Sequence, residues 1–152
     1  MGSESQNRLL EMLKTCFYKR HMQQCVLDYR PNWMKSPITG KNLEIDIWLP
    51  SLNLGIEYQG SQHYFKIKTM PANMENITRN DMLKYDLFRK HKRNFKPSPS
   101  LVLFFNGDLR DNPREILDVV SFRIKQQAKK SCSDKCIKMI EERKKWYIED
   151  VK

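Results

Sequence analysis

Over residues 7 to 17 the apolar positions Leu9, Leu10, Leu13 and Phe17 recur at helical spacing, which predicts an amphipathic helix running to about Lys19. Residues 25 to 29 are rich in strand formers and are stopped by Arg30-Pro31-Asn32, so a short strand is expected there. A loop with Pro37, Gly40 and Asn42 follows. Residues 43 to 49 then alternate, with Leu43, Ile45, Ile47 and Leu49 on one side and Glu44, Asp46 and Trp48 on the other. Residues 54 to 59 alternate too, Leu54, Ile56 and Tyr58 against Gly55, Glu57 and Gln59. The two runs predict a hairpin with one apolar face, closed by Pro50-Ser51-Leu52-Asn53.

Residues 65 to 78 show no clear period and contain Pro71, the signature of a long loop. From Thr78 the spacing of Met82, Tyr85 and Phe88 predicts a second helix, ending in the basic run Arg89-Lys90-His91-Lys92-Arg93. Pro97-Ser98-Pro99 breaks any helix before Leu101-Val-Leu-Phe-Phe105, a continuous apolar run expected of a strand buried on both faces. Asn112, Pro113 and Glu115 supply an N-cap, a first-position proline and a capping-box carboxylate for a long C-terminal helix. That helix is expected to break near residues 131 to 133 and to resume to about 148. The order is helix, three strands, helix, strand, helix. It predicts an α/β fold, a central mixed β-sheet flanked by helices, with extra C-terminal helices.

Composition narrows this picture. A chain of 152 residues, 39% hydrophobic, suits one domain over 1–152, with a core at about 4–110 and a helical extension at about 112–149. No apolar run approaches the length of a membrane helix and no signal-peptide core is present, so a soluble, intracellular protein is expected, nucleus or cytoplasm undecided. The four cysteines are expected to be free thiols, and Cys132-Ser-Asp-Lys-Cys136 departs from the usual zinc-knuckle spacing. A net charge of +10 points to a polyanionic partner such as nucleic acid. Residues 43 to 78 carry two basic and four acidic groups, between flanks with seven and three (1–42) and seven and two (79–97). Basic flanks of this kind can grip phosphates around an acidic centre. The candidate grips are Arg89, Lys90, Lys92 and Arg93, and near the C-terminus Lys129, Lys130, Arg143, Lys144 and Lys145.

The acidic centre has a specific geometry. A hairpin that pairs Leu49 with Leu54 sets Asp46 opposite Glu57, their β-carbons roughly 5 Å apart, where like charges repel. A divalent cation such as Mg²⁺ or Mn²⁺, which takes hard oxygen ligands, would offset that repulsion and would polarise a phosphodiester and activate a water. Gln59 falls on the same face and can orient that water or a phosphate oxygen. An ordinary solvated sheet face on which two acids meet is the alternative.

The run Leu43-Glu-Ile-Asp-Ile-Trp-Leu-Pro-Ser-Leu-Asn-Leu-Gly-Ile-Glu-Tyr-Gln-Gly-Ser-Gln-His-Tyr64 resembles the core of the PD-(D/E)XK nuclease superfamily, in the branch with E-x-Q in place of E-x-K. That branch includes homing-type endonucleases and relatives of very-short-patch repair enzymes. Arg30-Pro-Asn-Trp33 and Asp81-Met-Leu-Lys84 resemble its flanking motifs, so the likeness covers roughly the first 105 residues. It implies a restriction-endonuclease-like core and Mg²⁺-dependent hydrolysis of DNA, with Asp46 and Glu57 as metal ligands and Gln59 in place of the family's lysine. Many members carry a glutamate on the first helix, and the matching position here is Gln6, a weaker ligand for a divalent cation than a carboxylate. Another acid fills that role, two acids suffice, or the chain binds nucleic acid without cutting it. Lys84 can act at the scissile phosphate or pair with Asp81 one turn away, and His63 can contact phosphate or serve as an acid/base group. Paired cuts on a duplex would call for a homodimer.

Overall fold

Among the residues described by the computed structural model, 4–59, 79–95 and 98–150, four strands form one mixed sheet. β1 (Val26–Tyr29), β2 (Ile45–Leu49) and β3 (Leu54–Gln59) run antiparallel in turn, and β4 (Ser100–Phe105) adds parallel to β3. The α/β architecture and the mixed sheet agree with the order expected from the sequence. The β2–β3 connection is a single 3₁₀ turn (Pro50–Leu52), closed by Asn53 in the left-handed region at φ +48°. Asparagine tolerates that conformation, which is why a connection without glycine can hold so tight a register.

Helices cover both faces. α1 (Glu4–Cys16), α4 (Pro113–Gln127) and α5 (Lys130–Asp150) bury Leu9, Leu13, Leu117, Val120, Ile124 and Ile140 against Ile47, Leu49, Leu54, Ile56, Val102 and Phe104. The C-terminal helices are thus built into the main core. Asn112 caps α4 by accepting from the Arg114 and Glu115 N–H groups, as its sequence signature predicts. The break between α4 and α5 falls at Ala128, earlier than expected, and Ser100 Oγ takes up the Lys129 N–H at 2.9 Å. Side chains occupy the edge of β4 that faces away from β3, Asp108 at the Phe105 N–H and Gln127 at Leu103. Gln127 Oε1 accepts from Leu103 N–H at 2.7 Å and its Nε2 donates to Leu103 O at 3.1 Å, as a neighbouring strand would.

The other face corrects the expectation of a hairpin with a single apolar side. α3 (Arg79–Lys90) and the turn Asn32–Met34 bury Met34, Trp48, Phe88, Leu101 and Leu103 in a second core. Ile45 joins this second core, although strict alternation would put it with Ile47. The β2–β3 ladder stops short of it: the two strands pair only from Ile47↔Ile56 to Leu49↔Leu54, the Tyr58 N–H is taken by the Asp46 carboxylate, and Ile45 pairs with Tyr29 of β1 alone. Trp48 opposes Gly55, where an added β-carbon would lie 3.1 Å from the Phe88 ring, so a glycine admits the aromatic layer.

The short helix α2 (Lys19–Met22) packs His21 against the β2–β3 turn, with Nδ1 2.7 Å from Ser51 Oγ. Burial, together with the charges of Arg20 and Lys135, holds the imidazole below its ordinary pKa. The folded protein therefore binds this proton less readily than the unfolded chain does. His21 supports the fold above the ordinary histidine range, and that support is lost as pH falls through it. The thermal midpoint is expected to drop between about pH 7 and pH 5 with a slope of up to roughly one proton, and His21→Gln is expected to flatten it. An unchanged slope in the variant would assign acid sensitivity elsewhere.

Candidate functional site

Five acids and two amides meet where β1 ends, β2 begins and β3 ends under α3. The β2–β3 register is the one expected from the four-residue connection, Leu49↔Leu54, Trp48↔Gly55 and Ile47↔Ile56, and Asp46 and Glu57 are the residues just past the end of that ladder. The two carboxyl groups are close enough to hydrogen-bond each other. Asp46 Oδ2 also accepts from the Tyr58 N–H at 2.9 Å, which fixes the carboxylate at the end of the ladder.

Glu57 is 3% exposed, because α3 closes over the face that holds it. Burial pushes its pKa well above the ordinary carboxylate value; Lys84 opposes that shift and Asp46 reinforces it. Lys84 Nζ lies 2.5 Å from Glu57 Oε1, and both side chains are shielded from water. The i, i+3 pairing of Lys84 with Asp81 weighed from the sequence does not form. Asp81 instead receives the Gln59 amide, so two residues of α3 engage two residues of β3. Since a carboxylate only accepts, Nε2 must be the atom facing Asp81, and the other amide atom is defined. Gln59 Oε1 is buried and has no hydrogen-bond partner among the described residues. A buried acceptor without a donor is costly and calls for a ligand or a water.

Gln6 reaches the same place from α1. Its buried amide donates to Asp46 O at 3.0 Å and to Asp28 Oδ1 at 3.2 Å. Asp28 is the acid that sequence reasoning missed. The β1–β2 register, Leu27↔Ile47 and Tyr29↔Ile45, sets it opposite Asp46, and its φ of +51° turns it out of the ordinary strand conformation. The Gln6 amide leads the effects that hold its carboxyl below the ordinary range. Asp28, Glu44 and Asp46 each offer an oxygen within 4.8 Å of the others, a set compact enough for one cation. Glu44 is legible as the residue two before Asp46. Asp28 becomes legible only once β1 is paired, since its segment reads as an isolated apolar strand.

The expected basic positions fall elsewhere. Arg89, Lys90 and Arg93 are exposed at the end of α3 and beyond it, and Lys129 and Lys130 are exposed at the α4–α5 junction. Arg89 and Lys129, from different clusters, line one depression of about 120 Å³ with Tyr85 and Gln127, so the two clusters are neighbours in space. His63 and the Lys92 side chain lie outside the described residues. Cys132 and Cys136 Sγ atoms are 3.8 Å apart and buried, and both thiols are free. Among the described residues no third cysteine or histidine joins them in a compact ligand set.

The fold and this centre define an α/β protein with a mixed four-stranded sheet and an acidic cluster across three adjacent strand ends. The chain is 57% identical over 35 residues to Uncharacterized protein 033L of Invertebrate iridescent virus 3, covering 23% of this chain and 18% of that protein. It is 44% identical over 66 residues to Uncharacterized protein 307L of Invertebrate iridescent virus 6, covering 40% of this chain and 33% of that protein. The matches thus span about a fifth and a third of those relatives. No protein-family model matches the chain, and no solved structure matches it significantly. Among the described residues no helix is long and apolar enough to cross a membrane.

Proposed function

We propose that the chain is a metal-dependent endonuclease with a restriction-endonuclease-like core, hydrolysing phosphodiester bonds in DNA. The observation that carries this reading is the meeting of Asp46 and Glu57 at neighbouring strand ends, on a strand that also carries Gln59, whose buried Oε1 has no partner among the described residues. The donor set suits Mg²⁺ or Mn²⁺, being all oxygen and rich in carboxylate. Asp46 and Glu57 would hold the ion, and Asp28 offers the carboxylate that Gln6 lacks. Gln6 then acts through Asp28, as a positioning residue. When bound, such an ion polarises a phosphodiester and lowers the pKa of water. Gln59 Oε1 is free to accept from the attacking water and orient it. Lys84 neutralises Glu57 and stands within reach of charge that develops on a phosphate. Arg89 and Lys129 extend a cationic surface that would grip the DNA backbone.

The Lys84–Glu57 ion pair also favours a second reading, a nucleic-acid-binding module with a non-catalytic centre, because an ammonium already compensates one of the two acids. Supercoiled plasmid and branched DNA, incubated with the protein in Mg²⁺, in Mn²⁺ and in chelator, separate the two. Nicking with either metal and none in chelator is expected. DNA binding with no cutting under any divalent ion overturns the nuclease reading and leaves the second.

A further inference from the structure

At the end of α1 away from Gln6, Phe17 and Tyr18 lead into α2 beside α5, and a groove of about 550 Å³ opens there. Tyr18, Lys19, Arg20, Glu142, Arg143 and Trp146 line it. The Arg143 guanidinium lies 5.0 Å from the Tyr18 ring centroid and 4.8 Å from that of Trp146. Its Nη2 donates to Phe17 O at 3.4 Å, while its Nε is buried with no partner among the described residues. Arg20 sits 5.4 Å from the Tyr18 ring centroid as a second cation. The lining's one carboxylate, Glu142, accepts from the Tyr18 hydroxyl and keeps its charge, so three cations against one anion leave the groove net positive.

Trp146 is 59% exposed, against 4% for the core indole of Trp48. An indole kept for packing alone would be buried, and this one is backed by a guanidinium and open to water. A flat aromatic platform beside cations is the arrangement that holds single strands, since every base has a face to stack and every linkage a phosphate to neutralise.

We propose that this groove binds an unpaired stretch of DNA, one base stacking on Trp146 and the flanking phosphates meeting Lys19 and Arg20. The proposal rests on the nuclease reading only in taking the strand to be DNA. The helix from Gln6 to Cys16 spans about 15 Å, so a strand held in the groove reaches the acidic centre within a few nucleotides. The substrate class is then duplex DNA carrying a tail, flap or branch, in preference to an uninterrupted duplex.

The test is binding in chelator, so that no cutting intervenes, using labelled oligothymidylate, oligouridylate and a blunt duplex of equal length. Trp146→Ala is expected to weaken oligothymidylate binding roughly tenfold and leave duplex binding unchanged, while Trp146→Phe keeps most of the affinity. Arg20→Ala is expected to reduce the salt slope by about one. Equal single-strand affinity in the wild type and Trp146→Ala overturns the proposal. So does a Trp146-dependent response to an acidic polypeptide or to a second copy with none to oligonucleotide, and tighter binding of oligouridylate overturns the assignment to DNA. Cleavage that fails while the groove still binds removes only the nuclease reading. Cleavage that persists without a Trp146 effect removes only the groove.

Discussion

Asp46→Asn is expected to abolish metal-dependent nicking, a loss of more than about a hundredfold, while the protein stays folded. Groups that merely orient metal ligands cost about 10- to 100-fold when removed, so a ligand shared by the whole centre should exceed that range. In the proposed nuclease Asp46 is that group, since its carboxylate meets Glu57 on one side and Asp28 and Glu44 on the other. Asparagine keeps an oxygen for the Tyr58 N–H, so the ladder end survives, and it removes one charge from a crowded anionic cluster. Plasmid nicking rates, with calorimetric titration of Mg²⁺, check both parts. Wild-type nicking by the variant would place the chemistry at another centre.

Lys84→Ala is expected to destabilise the apo protein by about 3–5 kcal/mol, the range for removing one partner of a buried ion pair. The cause is the charge left behind, since Glu57 is 3% exposed and loses the group that opposes its desolvation. The paired change Lys84→Met with Glu57→Gln should therefore recover much of the loss, because neither residue then carries an uncompensated charge. If Glu57 also ligates a cation, Mg²⁺ should raise the stability of Lys84→Ala more than that of the wild type. Denaturant midpoints with and without Mg²⁺ report both effects. A loss below about 1 kcal/mol would show the pair to be solvated.

These two experiments probe parts of the site that differ in how they could be known. Asp46 and Glu57 were legible as a pair because a four-residue connection between alternating segments admits one register, and that register holds from Ile47↔Ile56 to Leu49↔Leu54. Gln6 was legible from its spacing to Leu9 and Leu13, which places it on the face of α1 that meets the sheet. The α4 N-terminus was legible from Asn112 and Pro113. Each depends on contacts between residues close in sequence or on periodicity, where local geometry leaves few choices.

The remainder depended on which distant elements meet. Alternation showed that Glu57 and Gln59 share a face with Trp48, yet said nothing of α3 covering it. That cover turns a solvated pair of acids into a buried one, brings Lys84 to Glu57 and Asp81 to Gln59, and leaves Gln59 Oε1 without a donor among the described residues. Asp28 enters the site through β1 pairing and a left-handed backbone, and neither is encoded by its neighbours in the chain. The sequence by itself thus determined the strand segments, the β2–β3 register and the two central acids. Tertiary packing alone decided burial, the partner of each charge and the third carboxylate, because desolvation and Coulomb energies depend on separations in space that sequence order does not constrain.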